Sequence, residues 1–326
     1  MRSLTINAET FPIARAFTIS RGSKTQAAVL SCSIGQDGVE GRGECVPYAR
    51  YGETMESVHA EIEAIRAEIA RGMDRRQLLT AMRAGAARNA VDCALWDLEA
   101  KLSGVAATHA LGVDSPKPLE TAYTLSLGEP DAMETQAREN AWRPLLKVKV
   151  GTDQDEPRMR AVVEGAPHSR IILDANEGWR PDNLIRHLAL AAELGIALIE
   201  QPLPAGSDDI LRDVKHMVPI CADESVHTAA DLDGLVGLYD AINIKLDKAG
   251  GLTAALELRD SARRKGFAIM IGCMVGTSLA MAPAVLLAQG AEFVDLDGPL
   301  LLAQDRDQKL TYEGSLVSPP HPALWG

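Results

Sequence analysis

The hydrophobic residues in the second part of the chain form eight short runs that recur at a nearly constant interval. Helical stretches separate the runs, and most of the runs end in a polar residue. The runs end at Thr124, Lys149, Asp174, Glu200, Asp223, Lys245, Ile271 and Asp295, in steps of 22 to 26 residues. Eight strands that alternate with helices at this period predict an α/β fold, a modified (β/α) barrel of the TIM type. A Rossmann-type sheet would give the same alternation, but it does not explain the charged strand ends, and no GxGxxG motif follows the first strand.

The first part of the chain has a different pattern, which predicts an α+β domain. Two strand-like runs, AAVLSCSI and VEGRGECV, flank the turn GQDG, and two segments with apolar residues at helical spacing follow them. Proline-containing VDSPKPLE, at 113–120, is a plausible domain boundary. We therefore expect a capping domain over 1–115, a barrel over 116–303, and a C-terminal segment over 304–326 that packs back on the capping domain.

Composition and charge exclude several classes of partner. The chain is 46% hydrophobic, which is enough for a large core, and its net charge of −12 argues against binding to nucleic acid. No apolar run is long enough for a signal peptide or a membrane span, so we expect no membrane partner and a cytoplasmic location. The five cysteines include no CxxC pair and are expected to be reduced thiols. A homo-oligomer is compatible with this composition.

Three consecutive barrel strands end in carboxylates, at Asp174, Glu200 and Asp223. Neighbouring strands lie about 4.8 Å apart, so these side chains converge on one sector of the barrel mouth. Three adjacent anions repel one another unless a cation joins them, and oxygen ligands without histidine or cysteine favour Mg²⁺. The alternative is that each carboxylate forms a separate ion pair with a barrel lysine.

Lysines mark the ends of the second and sixth strands. Lys147 and Lys149 lie two residues apart in an apolar run, so they share one face of a buried strand, where a charge needs a partner or a purpose. Lys245 ends the strand on the opposite side of an eight-stranded barrel. Opposed lysines suit removal of a proton from one face of a carbon and delivery to the other, and burial beside Lys147 would lower the pKa of Lys149. Structural salt bridges are the alternative.

The eighth strand places Asp295 and Asp297 on one face, opposite the acidic sector. Two carboxylates there would suit the ammonium group of a substrate. Alternatively, they cap a helix that begins near Gly298 and Pro299.

Six motifs, KVK, DAN, EQP, DES, KLDKAGG and DLDGP, resemble in order and spacing the enolase superfamily, its muconate-lactonizing subgroup and, most closely, the dipeptide epimerases that act on L-Ala-D/L-Glu. The resemblance implies a Mg²⁺-dependent exchange of the α-proton of the C-terminal residue through an enediolate. It implies Lys149 and Lys245 as the acid/base pair, and Asp174, Glu200 and Asp223 as the metal ligands.

The resemblance also implies contacts to a small dipeptide substrate, whose source could be murein peptides. They fall on Thr124, on Asp295 and Asp297, on Cys273 and Met274 of the CMVGTS loop, and on Arg21 or Lys24 of the SRGSK loop. Arg21 is favoured for the glutamate side chain because a guanidinium binds a carboxylate bidentately. The alternatives are another superfamily reaction (a cycloisomerase or o-succinylbenzoate synthase), a catalytically silent barrel used for binding, and a metal-dependent hydrolase.

Overall fold

An antiparallel sheet in the order β1-β2-β3 opens the chain in the structure, a computed structural model that describes residues 1–326. Its strands are β1 (Ser3–Ile19), β2 (Gly22–Gln36) and β3 (Val39–Cys45). Asp37 and Gly38, with φ of 52° and 80°, form the tight turn between β2 and β3. Two consecutive positive φ angles are typical of the hairpin turn that the GQDG motif predicts.

Helices pack on one side of this sheet. They are α1 (Met55–Ala64), α2 (Arg66–Ala70), α3 (Arg75–Ala81), α4 (Ala86–Ser103) and α5 (Ala107–Ala110), with a 3₁₀ turn over Ala49–Tyr51 and a short strand, β4 (Leu119–Glu120), at the end. The first predicted helical segment is broken at Ile65, whose backbone (φ −99°, ψ 9°) separates α1 from α2. The contact between β3 and α4 is close: a Cβ atom at Gly43 would lie 2.1 Å from the Ala90 carbonyl oxygen, so only glycine fits there.

The expected eight-stranded barrel is present. Its parallel strands are hydrogen-bonded in sequence order and are β5 (Tyr123–Leu125), β6 (Leu145–Lys149), β7 (Arg170–Asp174), β8 (Leu198–Glu200), β9 (Ile220–Ala222), β10 (Ala241–Ile244), β11 (Ala268–Ile271) and β12 (Phe293–Val294). The Ala122 amide donates to the Val294 carbonyl at 2.8 Å, which joins the eighth strand to the start of the first. The polar residues at the predicted strand ends all lie within one residue of the observed ends.

Helices surround the barrel at all but one of the positions that the alternating pattern predicts. They are α6 (Pro130–Glu139), α7 (Asp155–Gly165), α8 (Pro181–Glu193), α9 (Leu232–Leu235), α10 (Leu246–Ala249), α11 (Leu252–Arg264), α12 (Ser278–Leu287) and α13 (Gly298–Leu301). Between β8 and β9 the structure has only a 3₁₀ turn, Asp209–Asp213. The segment begins PLPAG, and its two prolines and a glycine disfavour a helix there. None of the helices combines the length and the apolar character that crossing a membrane requires.

The end of the chain contacts both parts of the molecule. Two short strands, β13 (Tyr312–Glu313) and β14 (Leu316–Val317), form an antiparallel sheet with β4. The Trp325 indole then donates to the Cys93 carbonyl of α4 at 3.0 Å. A further link joins α4 directly to the barrel, because the Arg88 guanidinium donates to the carbonyls of Gly250 (2.9 Å) and Ala249 (2.7 Å). These contacts hold the N-terminal domain over the carboxyl ends of the barrel strands.

Candidate active site

A cavity of about 1080 Å³ lies where the N-terminal domain covers the carboxyl ends of the barrel strands. Most of the residues that the sequence singles out line it, namely Arg21, Lys24, Thr124, Lys147, Lys149, Asp223, Lys245, Cys273, Met274, Asp295 and Asp297. The two exceptions, Asp174 and Glu200, are completely buried beneath its floor. The structure thus brings all thirteen residues to one end of the barrel.

The three acidic strand ends form a continuous row. Asp174 pairs in register with Glu200, and Glu200 pairs with the residue two before Asp223, so the carboxylates follow one another across β7, β8 and β9. Burial costs these charges their hydration, and each one needs a partner. Asn243 supplies one such partner, because its Nδ2 donates to Glu200 Oε1 at 2.8 Å.

Lysine ammonium groups contact the whole length of this row. Lys149 Nζ lies 2.6 Å from Asp174 Oδ2 at one end, and Lys245 Nζ lies 2.7 Å from Asp223 Oδ2 at the other. Lys147 Nζ lies in the middle, 3.1 Å from Asp174 Oδ2 and 2.8 Å from Glu200 Oε2. Lys149 and Lys245 therefore approach from strands on opposite sides of the barrel, with the carboxylates between them.

The pKa values of Lys147 and Lys245 depend on the surrounding carboxylates as well as on burial. Burial disfavours both ammonium groups, but the carboxylates outweigh it and raise each pKa well above its ordinary value. Asp295 and Glu200 act on Lys147, and Asp223 acts on Lys245. A lysine so strongly paired stays protonated, so base chemistry requires the carboxylates to have another cation.

The donor set fits such a cation. Glu200 Oε2 is buried and accepts no hydrogen bond, and its one close ammonium, Lys147 Nζ, is shared with Asp174 and Asp295. Burial and the neighbouring Asp174 raise the pKa of Glu200 to about 7, which indicates uncompensated negative charge. No three acidic, histidine or cysteine side chains form a preassembled cage, and the Lys147 ammonium lies between Asp174 and Glu200. The oxygen-only donors at adjacent strand ends match the preference of Mg²⁺.

Two residues that were not assigned from the sequence support the acidic row. Lys248 Nζ lies 2.5 Å from Asp223 Oδ1, and it also contacts the Asn243 carbonyl at 3.0 Å. Gln201 accepts the Asp223 amide at 2.8 Å and donates to the hydroxyl of Tyr239 at 2.9 Å. Lys248 lies within the KLDKAGG motif and Gln201 within EQP, but the sequence does not indicate which atoms these side chains bind.

The backbone after the acidic strand ends adopts an uncommon conformation. Asn176, Glu177 and Gln201 have φ angles of 45°, 68° and 36° although none of them is glycine. The Asn176 amide donates to Asp174 Oδ1 at 2.9 Å, and its side-chain Oδ1 is buried without a hydrogen-bond partner. The turn after β7 thus places the Asn176 amide against the first carboxylate of the row.

The Asp295–Asp297 pair lies on the other side of the cavity. Asp297 Oδ2 accepts the Thr124 amide at 2.7 Å, and Asp295 Oδ2 lies 2.8 Å from Lys147 Nζ. The Asp297 side chain makes no capping hydrogen bond to α13, so the structure gives no support to the capping alternative. Burial and the adjacent Asp295 raise the pKa of Asp297 to about 7. Asp297 thus lacks a cationic partner, whereas Asp295 has Lys147.

The two cations of the covering loop differ in their surroundings. Arg21 donates to Glu224 Oε1 (2.8 Å), to Glu177 Oε2 (3.0 Å) and to the Asn176 carbonyl (2.7 Å). Lys24 forms no ion pair, and its ammonium lies 5.0 Å from the ring centroid of Tyr48. These three partners of Arg21 lie more than 150 residues away in the chain, so the sequence alone does not reveal them.

Comparison with known proteins places this architecture in a family. The model for the mandelate racemase/muconate lactonizing enzyme N-terminal domain matches residues 1–112, and the enolase C-terminal domain-like model matches residues 132–320. An L-Ala-D/L-Glu epimerase of Escherichia coli strain K12 is 43% identical over 314 residues, covering 96% of this chain and 98% of that protein. An N-acetyl-D-glutamate racemase of a Pseudoalteromonas species is 46% identical over 288 residues, covering 88% of this chain and 91% of that protein.

Solved structures with a similar fold include dipeptide epimerases. An enolase family member from Agrobacterium tumefaciens with homology to dipeptide epimerases, with bound sodium and L-Ala-L-Glu, is 60% identical with a TM-score of 0.99, and each chain covers 100% of the other. A dipeptide epimerase from Methylococcus capsulatus, complexed with Mg and L-Arg-D-Lys, is 31% identical with a TM-score of 0.89, covering 99% of this chain and 98% of that one. The chain therefore belongs to the mandelate racemase/muconate lactonizing enzyme group of the enolase superfamily.

Proposed function

We propose that this protein is a Mg²⁺-dependent dipeptide epimerase that interconverts L-Ala-L-Glu and L-Ala-D-Glu at the C-terminal residue. The observation that carries the proposal is the position of Lys149 and Lys245 at opposite ends of one buried carboxylate row. Relatives named as dipeptide epimerases, including one 43% identical over nearly the whole chain, support it. The cytoplasmic location, the murein-peptide source of the substrate and a homo-oligomeric state stay predictions from the sequence.

Asp174, Glu200 and Asp223 would hold the metal. When bound, Mg²⁺ supplies a Lewis acid that stabilises the negative charge that builds up on the substrate carboxylate when the α-proton leaves. Carboxylates that bind a dication no longer neutralise Lys149 and Lys245 as completely. Burial would then act on the Lys245 ammonium with less opposition, and it favours the neutral form that can accept a proton.

Two lysines on opposite faces perform the inversion. One neutral lysine removes the α-proton, which leaves a planar enediolate, and the protonated lysine on the other face returns a proton. The roles exchange for the opposite epimer, since the reaction must follow the same path in reverse. Lys149 and Lys245 are only 6% exposed, so little water competes for the proton.

The substrate ammonium is assigned to Asp295 and Asp297. Asp295 is paired with Lys147, but Asp297 has no cationic partner, and the α-ammonium of the N-terminal residue would supply one. The backbone amide of Thr124 holds the Asp297 carboxylate in place, at 2.7 Å. Charge-assisted hydrogen bonds of this kind are about twice as strong as neutral ones.

Lys24, rather than Arg21, is assigned to the side-chain carboxylate of the substrate glutamate. Arg21 already has two carboxylate partners, Glu177 and Glu224, so a third anion would have to displace one of them. Lys24 lines the same cavity without an ion pair. The preference for Arg21 drawn from the sequence considered only the geometry of a guanidinium and not its partners.

A second candidate function is racemisation of an N-acylated glutamate. The relative that is 46% identical, named N-acetyl-D-glutamate racemase, favours it. L-Ala-Glu is itself an N-acyl glutamate whose acyl group carries an ammonium. Only the dipeptide therefore needs the carboxylates of Asp295 and Asp297, and that difference separates the two functions.

Mg²⁺ should stabilise the protein through the carboxylate row. At a Mg²⁺ concentration one hundred times its Kd, linkage raises the free energy of unfolding by about 2.7 kcal/mol. We expect thermal denaturation to show this stabilisation in the wild type and not in Glu200→Gln. Glu193→Gln, an exposed site on α8, is the matched control and should respond like the wild type. Equal stabilisation of all three proteins would contradict the assigned ligands.

Each lysine should serve one face of the substrate. In D₂O, Lys149→Ala and Lys245→Ala should each stop net epimerisation, with a loss of about a thousandfold. Each variant should retain deuterium exchange from only one epimer, and the two variants should retain opposite ones, as measured by mass spectrometry of the C-terminal α-carbon. Lys265→Ala on the surface is the control. Full activity in both site variants would rule out the two-base mechanism.

Asp297→Asn should distinguish the two candidate functions. For L-Ala-L-Glu we expect KM to rise about ten- to hundredfold, because a hydrogen-bonded charge loses its partner. For N-acetyl-L-glutamate the same substitution should leave KM unchanged or lower it. If the wild type turns over N-acetyl-L-glutamate with the higher kcat/KM, the dipeptide is not the preferred substrate.

Lys24→Met should selectively weaken the binding of dipeptides with an acidic C-terminal side chain. We expect KM for L-Ala-L-Glu to rise about tenfold, the equivalent of one partly exposed charged hydrogen bond, with little change for L-Ala-L-Gln. Arg21→Met should affect both substrates alike, because its partners belong to the protein. The assignment fails if Arg21→Met, and not Lys24→Met, removes the preference for glutamate.

A further inference from the structure

A buried polar cluster joins three parts of the chain beside the cavity. It consists of Glu44 on β3, Thr277 in the loop after β11, and Arg306 in the C-terminal segment. Glu44 is 1% exposed, and its carboxylate accepts the Thr277 amide at 2.8 Å and the Thr277 hydroxyl at 2.5 Å. Arg306 donates to the same carboxylate from Nε (2.9 Å) and Nη2 (2.7 Å). Neither Glu44 nor Arg306 lines the cavity.

Arg306 is itself fixed from a second side. Its two terminal nitrogens bind both oxygens of Glu9 on β1, at 2.9 and 2.8 Å, and its Nε also donates to Thr277 Oγ1 at 2.8 Å. A guanidinium presents several donors in one rigid plane, and a lysine in its place would reach only part of this set. The cluster therefore depends on geometry as well as on charge.

The cluster fixes a loop that forms part of the cavity wall. Cys273, Met274 and Val275 line the cavity directly before Thr277. Met274 packs against Val29 and Val46 of the N-terminal domain. The loop is thus held from the covering side by apolar contact and at its end by the buried hydrogen bonds.

The same loop touches the residue that follows Asp297. A Cβ atom at Gly298 would lie 3.1 Å from the carbonyl oxygens of both Met274 and Gly276. On the opposite side, a Cβ atom at Gly276 would lie 3.2 Å from Glu44 Oε1. The loop backbone is therefore held between Glu44 and the strand end that carries Asp297.

We infer that Glu44 and Arg306 are positioning residues that set the size of the subsite for the N-terminal residue of the dipeptide, by locking the loop 273–277 between the N-terminal domain and Asp297. The inference rests on the proposed function, which assigns the α-ammonium of that residue to Asp297. A displaced loop changes the space around a small N-terminal side chain. It leaves the lysines and the acidic row in place, so the effect falls on KM and on selectivity rather than on the proton transfer.

Arg306→Lys tests this with Arg42→Lys as the matched control. Arg42 also joins the N-terminal domain to the C-terminal segment, through the carbonyls of Ala323 and Leu324 at 2.8 Å, but it does not contact the loop. We expect Arg306→Lys to raise KM for L-Ala-L-Glu about tenfold, because small displacements of positioning groups have effects of this size or larger. Its kcat should remain within about twofold, since the reacting groups are untouched.

Selectivity is the decisive measurement. The ratio of kcat/KM for L-Ala-L-Glu to that for L-Leu-L-Glu should fall about tenfold in Arg306→Lys and stay at the wild-type value in Arg42→Lys. An unchanged ratio in Arg306→Lys, or an equal change in both variants, would overturn the inference. A wild type inactive on every dipeptide would instead overturn the proposed function, and the inference with it.

A second pair of variants covers the case in which Arg306→Lys does not fold. Thr277→Val removes the hydroxyl that binds Glu44 and Arg306, whereas Thr277→Ser keeps it. Thr277 also caps α12, accepting the Leu279 amide at 3.2 Å, so Thr277→Val is expected to lower Tm as well. The valine variant should shift the selectivity ratio and the serine variant should restore it. A shift in Tm with no shift in the ratio would leave only a structural role.

Discussion

The attraction between a row of buried carboxylates and the lysines around it governs this molecule. Asp174, Glu200 and Asp223 are buried at the ends of adjacent strands, where isolated charges would be prohibitively unfavourable. Lys147, Lys149 and Lys245 neutralise them in the absence of another cation. The carboxylates that pair with these lysines are also the groups that would bind a metal. The lysines therefore balance the charge of the row without a metal, and a bound metal would take over part of that role.

The N-terminal domain completes that arrangement from above. Its contacts to the barrel include specific polar ones: Arg88 on the carbonyls of Ala249 and Gly250, Arg21 on Glu224, and Glu44 on Thr277. Such contacts depend strongly on geometry, and they fix the position of the N-terminal domain over the cavity. The barrel supplies the chemistry, and the covering domain determines what reaches it.

The sequence predicts the barrel well because a strand and its helix repeat at a constant length, and because functional residues collect at strand ends. The acidic row, the lysines and the Asp295–Asp297 pair all follow from that period. The missing helix between β8 and β9 does not follow from the period, although the local prolines disfavour it. The partners of Arg21 and of Arg306 could not be predicted, because those contacts join residues far apart in the chain and their distances depend on how the two domains dock. The raised pKa values of Lys147 and Lys245 escaped prediction for the same reason: they depend on the distance to each carboxylate and not on burial alone.

The positive φ angles of Asn176, Glu177 and Gln201 have a consequence for the evolution of this rim. A non-glycine residue in that region costs on the order of 1–3 kcal/mol, so three of them together use a substantial share of the stability of an ordinary domain. These three residues keep an unfavourable backbone conformation, and burial of the large apolar interior offsets its cost. In a homologue that no longer catalyses the reaction, we expect these turns to change first. Glycine or a different loop conformation at these positions would then indicate a protein that keeps the barrel fold without the activity.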